Sequence, residues 1–138
     1  MAHAGQELHG QDGYTLRLIS IEPELLQMEA TYGGTGQFPP RHYHPSQDEH
    51  FEVLEGTVRT IVDGEERSHE AGEMFDISAG TVHQLAADPP ARLKWEVRPA
   101  LRTAEFFERF YDALDNGFPE GTTAEDFLRE YSDVFRLA

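Results

Sequence analysis

The residues best suited to chemistry lie in GQFPPRHYHPSQDEHFEVLEG, Gly36 to Gly56. His42 and His44 are two apart, so on a strand both imidazoles point to one face. Pro45 breaks that strand. A turn over Pro45–Asp48 and an antiparallel return would set Glu49 opposite the pair. A second stretch, GEMFDISAGTVHQL, carries Gly72, Gly80 and His83. A loop at Ala79–Gly80 would bring His83 to the same point on a third strand. Three nitrogens and one oxygen suit one divalent transition metal (Fe, Mn, Ni, Cu or Zn), with coordination positions left for water or substrate. Asp48, Glu52 and Glu55 are rival carboxylates. Glu52 should point away from Phe51 and Val53, and Asp48 would need a one-residue shift that reverses its face. Alternation also turns His50 away. His3 and His9 fall in a polar leader, and His69 lies among turn residues with an exposed position expected.

The elements that must position these side chains fall into two regimes. From about residue 14 to 98 the chain shows short alternating runs divided by Gly, Pro, Asn or Asp, the pattern of an antiparallel sandwich or barrel. Apolar residues alternate at Leu16–Leu18 and Leu26–Met28–Ala30–Tyr32. They do so again at Phe51–Val53, Val58–Val62, Phe75–Ile77 and Leu93–Trp95–Val97. Asp63-Gly64 reads as a tight hairpin turn. After Pro99 the period becomes helical. Thr103 is placed to cap a helix carrying Phe106, Phe107, Phe110, Tyr111 and Leu114, which Gly117 ends. Thr123 and Asp126 resemble a capping box for a second helix with Phe127, Leu128, Tyr131, Val134 and Phe135. Both stripes are read as packing surfaces, set against the barrel or a partner subunit. Phe38, Phe51, Phe75 and Trp95 are candidates for the wall of a pocket. Arg41 is placed either to meet an anionic ligand or to pair with a surface acid.

The motifs resemble those of the cupin superfamily, in its small single-domain, RmlC-like form. Gly36, His42, His44, Glu49 and Gly56 reproduce the first cupin motif at every spacing. Gly72, Gly80 and His83 match the second, with Ser78 in place of its Pro and Ala87 in place of its Asn. The stretch VRPALRTAEFFERFYDALDNG resembles the helical tail of a group of small bacterial and archaeal cupins. The resemblance implies an all-β jelly roll (a double-stranded β-helix, or cupin barrel) over residues 12–99. Two C-terminal α-helices follow over 100–138. It also implies His42, His44, Glu49 and His83 as metal ligands. The expected function is a metal-dependent enzyme of the dioxygenase or isomerase type on a small organic substrate. The alternative is a non-catalytic module that binds or senses a small molecule.

Composition narrows the rest. The chain has 138 residues, a length suited to one domain, and no cysteine, which excludes disulfides, thiolate ligands and thiol nucleophiles. Asp and Glu number 26 against 11 Lys and Arg, a net charge of −15. Such a surface repels nucleic acid and anionic membranes, so neither is expected as a partner. The absence of cysteine and of a long apolar run points to a cytoplasmic protein. Open jelly-roll edges and C-terminal aromatics point to a homodimer.

Overall fold

The computed structural model describes residues 1–138. Its strands are β1 (Glu7–His9), β2 (Thr15–Glu22), β3 (Leu25–Tyr32), β4 (His42–Tyr43), β5 (Asp48–Val62), β6 (Glu65–Glu70), β7 (Met74–Ile77), β8 (His83–Arg98) and β9 (Arg136–Leu137). Two helices, α1 (Thr103–Asn116) and α2 (Ala124–Glu130), separate β8 from β9. The jelly-roll barrel with two C-terminal helices is therefore as expected. The sheet also takes in β1, ahead of residue 12, and β9 inside the helical extension.

The spine of the roll is the long β5–β8 ladder, which runs from Asp48↔Arg98 to Val62↔His83. β6 and β7 pair along the far edge of β5, and β3, β2 and β1 continue from the Ala91–Val97 half of β8. The ladder slips between Val53 and Thr57. An extra residue there reverses which parity faces inward. Glu49, Phe51 and Val53 are buried before the slip, Val58 and Thr60 after it. Gly56 sits at the slip with φ 78°, and a side chain there would strike the Pro90 carbonyl. Pro89-Pro90 lies within a single strand, β8, which carries both His83 and Trp95.

Leu16, Leu18, Leu26, Met28, Ala30 and Leu93 are fully buried between the two halves of the roll. A second aromatic core lies under the helices, where Phe106, Phe127 and Tyr131 meet with ring centroids 5.0–5.6 Å apart.

Three local expectations are corrected. Thr103 is not a cap: it is the first residue of α1, and its Oγ1 accepts a bond from the buried Gln47 amide at 2.7 Å. The amide competes for the hydroxyl that would otherwise cap. α2 stops at Glu130 rather than running through Phe135, because Tyr131 leaves helical geometry (ψ 24°) and the chain turns into β9. His69 is half-buried, its ring stacked on Phe75 at 3.9 Å with Nε2 3.0 Å from Thr60 Oγ1. The capping box at Thr123 and Asp126 forms as expected, with both reciprocal bonds present.

Candidate metal centre

The structure brings His42, His44, Glu49 and His83 together inside the barrel. One ring nitrogen from each histidine lies within 4.8 Å of the others. The route differs from a simple hairpin. β4 does not pair with β5; it lies between β8 and β9, with His42 opposite both His83 and Leu137. Glu49 projects inward from β5, where it is paired with Val97 and Ile77. Its Oε1 is 3.3 Å from His44 Nε2 and 3.1 Å from His83 Nε2.

Each imidazole has its other nitrogen tied to a backbone carbonyl. His42 Nδ1 meets Pro40 O at 3.0 Å, His44 Nδ1 meets Val134 O at 2.7 Å, and His83 Nδ1 meets Thr81 O at 2.8 Å. A carbonyl oxygen can only accept, so every Nδ1 carries a proton. In the neutral ring Nε2 is then a bare lone pair, turned toward the other two and toward a carboxylate. Such an arrangement is repulsive unless something positive stands among its members. His44 Nε2 and Glu49 Oε1 are buried without a hydrogen-bond partner. A divalent cation would satisfy all four groups at once, and backbone bonds that fix the outer nitrogen are how metal-binding imidazoles are oriented. The residues fit a metal.

The electrostatics of the group follow from its burial and from the Glu49 carboxylate. Burial, reinforced by His83, lowers the His42 pKa to about 4, so the ring is neutral. Burial also works against charge on His44, but the Glu49 carboxylate outweighs it and the pKa is raised. Glu49 would be pushed up by its burial; His44 and His83 hold it far below the usual carboxylate range. The second oxygen of Glu49, Oε2, accepts from Trp95 Nε1 at 2.8 Å. That bond fixes the carboxylate plane. Trp95→Phe should keep the ring packing and release the carboxylate. The expected loss is about 10–100-fold in metal affinity, measured by competition with a chromophoric chelator; unchanged affinity would deny the indole this role.

The centre opens into a cavity of about 510 Å³. Phe51 and Trp95 line it as expected. Phe38 and Phe75 do not: Phe38 lies under the Arg59 guanidinium, 4.8 Å away, and Phe75 stacks behind Phe51 at 4.9 Å. Arg41 is exposed and does not line the cavity. His50 points outward to Asp76 at 2.7 Å. Asp48 Oδ1 accepts from the Ala79 N–H at 2.8 Å, securing the loop where Ser78 replaces proline.

The C-terminal segment was missed as part of the site. Phe135 stacks on His42 with centroids 4.9 Å apart, and Val134 supplies the carbonyl that orients His44. Phe106, Phe107, Phe110, Tyr111 and Leu128 also face the cavity. Helical periodicity marked these residues as apolar packing and could not reveal that part of that face borders a hollow. Two-residue β9 carries no periodic signal at all.

Residues 29–97 match the cupin domain family profile. The chain belongs to the cupin family. Among curated relatives, this cupin is 30% identical over 98 residues to the tetracenomycin polyketide synthase protein TcmJ of Streptomyces glaucescens. The match covers 66% of this chain, and this chain spans 64% of that relative. Among solved structures it resembles an RmlC-like cupin from Shewanella frigidimarina, with TM-score 0.64, 19% identity, and 72% and 87% of the two chains covered. It also resembles the Streptomyces nucleoside dehydratase Pac13, with TM-score 0.59, 12% identity, and coverage of 72% and 81%. No helix of this cupin is long and apolar enough to cross a membrane.

Proposed function

We propose that this cupin is a metal-dependent enzyme acting on a small, oxygen-bearing organic molecule bound in the barrel cavity. Its metal ligands in this reading are His42, His44, His83 and Glu49. The carrying observation is the set of three bare Nε2 atoms around a buried, unpartnered carboxylate oxygen on the cavity wall. Three nitrogens and an oxygen suit Fe, Mn, Ni, Cu or Zn. Bound there, a divalent ion supplies a Lewis acid to a substrate carbonyl or enol oxygen.

The chain's own residues do the rest. The backbone carbonyls of Pro40, Thr81 and Val134 hold the imidazoles in one tautomer. Trp95 fixes Glu49, and Glu49 tempers the positive charge. Phe51, Trp95, Phe106 and Phe107 exclude water and offer flat apolar faces to a substrate. The kinship with a polyketide synthase protein supports a polyketone or polycyclic aromatic substrate, and isomerisation or ring closure as the reaction type. A dioxygenase reaction fits the same ligand set.

Metal analysis of protein purified without chelator tests the ligand set, and pH dependence sharpens the test. Protons compete with the metal for Nε2. His44 has the raised pKa, so on acidification it takes a proton first, whereas His42 resists to about pH 4. Occupancy should be full near pH 8 and fall as pH drops below about 6.5, the ordinary imidazole value. Equilibrium dialysis across that range reads the result. A metal affinity unchanged between pH 8 and pH 5 would show that histidines do not hold it. Substrate turnover, screened by chromatography over small polyketones and polyphenols, separates an enzyme from a binding module.

A further inference from the structure

Three tyrosines line the same cavity as the candidate metal centre. Tyr14 precedes β2, Tyr32 ends β3, and Tyr111 lies on α1, so three separate elements bring them together. Ring centroids are 5.1 Å apart for Tyr14–Tyr32 and 5.6 Å for Tyr14–Tyr111. The cluster is closely backed. A side chain at Gly10 would stand 2.9 Å from Tyr14 Cδ1 and 3.0 Å from Tyr111 Cε1.

Their hydroxyls are underused. Tyr14 and Tyr111 are neighbours through their rings, but no carbonyl, carboxylate or imidazole of the protein accepts from any of the three hydroxyls. Tyr131, the tyrosine of the helical core, contrasts with them: its hydroxyl donates to Glu105 at 2.8 Å and accepts from Arg109 at 2.9 Å. The three cavity tyrosines are only half-buried, so their hydroxyls are left to water or a ligand in the cavity. Burial raises the pKa of Tyr14 and Tyr32 and pushes Tyr111 up to about 12, so all three are neutral donors at physiological pH.

The remaining lining defines what these donors would meet. It contains no lysine or arginine, and the protein as a whole is strongly negative. Except at the candidate metal centre, a phosphate or carboxylate would enter against the field and find no counter-charge among these side chains. A carbonyl or phenol oxygen needs only a neutral donor, and aromatic walls favour flat rings. The volume, about 510 Å³, is in the range of drug-sized sites.

We propose that Tyr14, Tyr32 and Tyr111 form a neutral phenol clamp that grips a carbonyl or phenol oxygen of a flat, uncharged ligand lodged in this cavity. The clamp thereby selects uncharged ligands and orients them. The proposal deepens the reading of the cavity as a substrate site and rests on it, without depending on the metal.

Binding experiments on the full chain test it. The probe is 1,8-dihydroxyanthraquinone, its anionic comparator anthraquinone-2-sulfonate, and the readout quenching of Trp95, the one tryptophan of the chain. The variants are Tyr14→Phe, Tyr111→Phe and the double variant, which keep the rings and remove hydroxyls. Each single change should weaken the neutral probe about three- to tenfold, the worth of one neutral hydrogen bond. Melting temperature and the Zn²⁺ equivalent retained should stay at the wild-type level. On chelator-treated protein, where no ion can hold it, the sulfonate should bind at least about tenfold more weakly than the neutral probe, as expected for a charge without a partner. Equal binding of the neutral probe by wild type and double variant overturns the clamp, as does its failure to bind wild type, or sulfonate binding as tight as the neutral probe. If wild type retains no Zn²⁺ but probe binding still depends on the tyrosines, the metal reading falls and the clamp stands.

Discussion

The variant carrying both His42→Ala and His44→Ala is expected to emerge from purification with metal at background, against a full equivalent for the wild type. His83 and Glu49 remain, but two donors on a flexible-geometry ion leave most positions to water, and the chelate is lost. The change also strips Glu49 of the imidazole that stabilises its charge. A buried carboxylate deprived of its partner is costly, on the order of 3–5 kcal/mol when a buried pair is broken. Low occupancy could then reflect a loosened barrel. His42→Gln resolves this. His42 is the imidazole on which Glu49 has the weakest influence, and burial sets its protonation. The single variant should melt close to metal-free wild type, measured with chelator present, yet bind metal far more weakly. A double variant that keeps its full equivalent would move the centre elsewhere.

Phe127→Ala should give the largest loss of stability. Phe127 is 1% exposed and meets Phe106, Phe118 and Tyr131 with centroids 5.0–5.4 Å apart. Removing a buried phenyl ring costs about 3–5 kcal/mol, a large share of the roughly 5–15 kcal/mol that holds a domain together. Melting temperature should fall by about 10–20 °C for a chain of this size. The effect should reach the metal centre, because Tyr131 joins α2 to the segment carrying Val134 and Phe135. Calorimetry and metal retention on one sample read both. A fall below about 3 °C would mean that the helices pack on the barrel without a common aromatic core.

The strand regime was legible because period-two burial is a local property. Leu16–Leu18, Leu26–Met28–Ala30 and Leu93–Val97 each alternate within a few residues, and each is buried as read. The convergence of His42, His44, Glu49 and His83 was legible because spacing limits which side chains can share a face. Strand partners were not. Nothing local tells His42 to pair with His83 and Leu137 rather than with β5, since that choice is made by closure of the whole roll. The continuity of β8 through Pro89-Pro90 was not legible either, because proline donates no backbone bond and only a bend tolerates that loss. The aromatic stripes of α1 and α2 were read correctly as apolar and incompletely as core. A hydrophobic face looks the same in sequence whether it meets packed side chains or a hollow. Thr103 misled for a related reason: the amide that claims its hydroxyl belongs to Gln47, far away in the chain.

The short strand at Arg136–Leu137 has a temporal side. His42 is flanked by it, and His44 takes its orienting carbonyl from Val134, 90 positions later. A nascent chain leaves the ribosome from the N-terminus onward, so both imidazoles are free of the tunnel long before their scaffold exists. A metal held by these imidazoles would therefore find its full set of oriented ligands only after this segment has been made. Before that, the two imidazoles would be a loose pair without the carbonyl that orients His44.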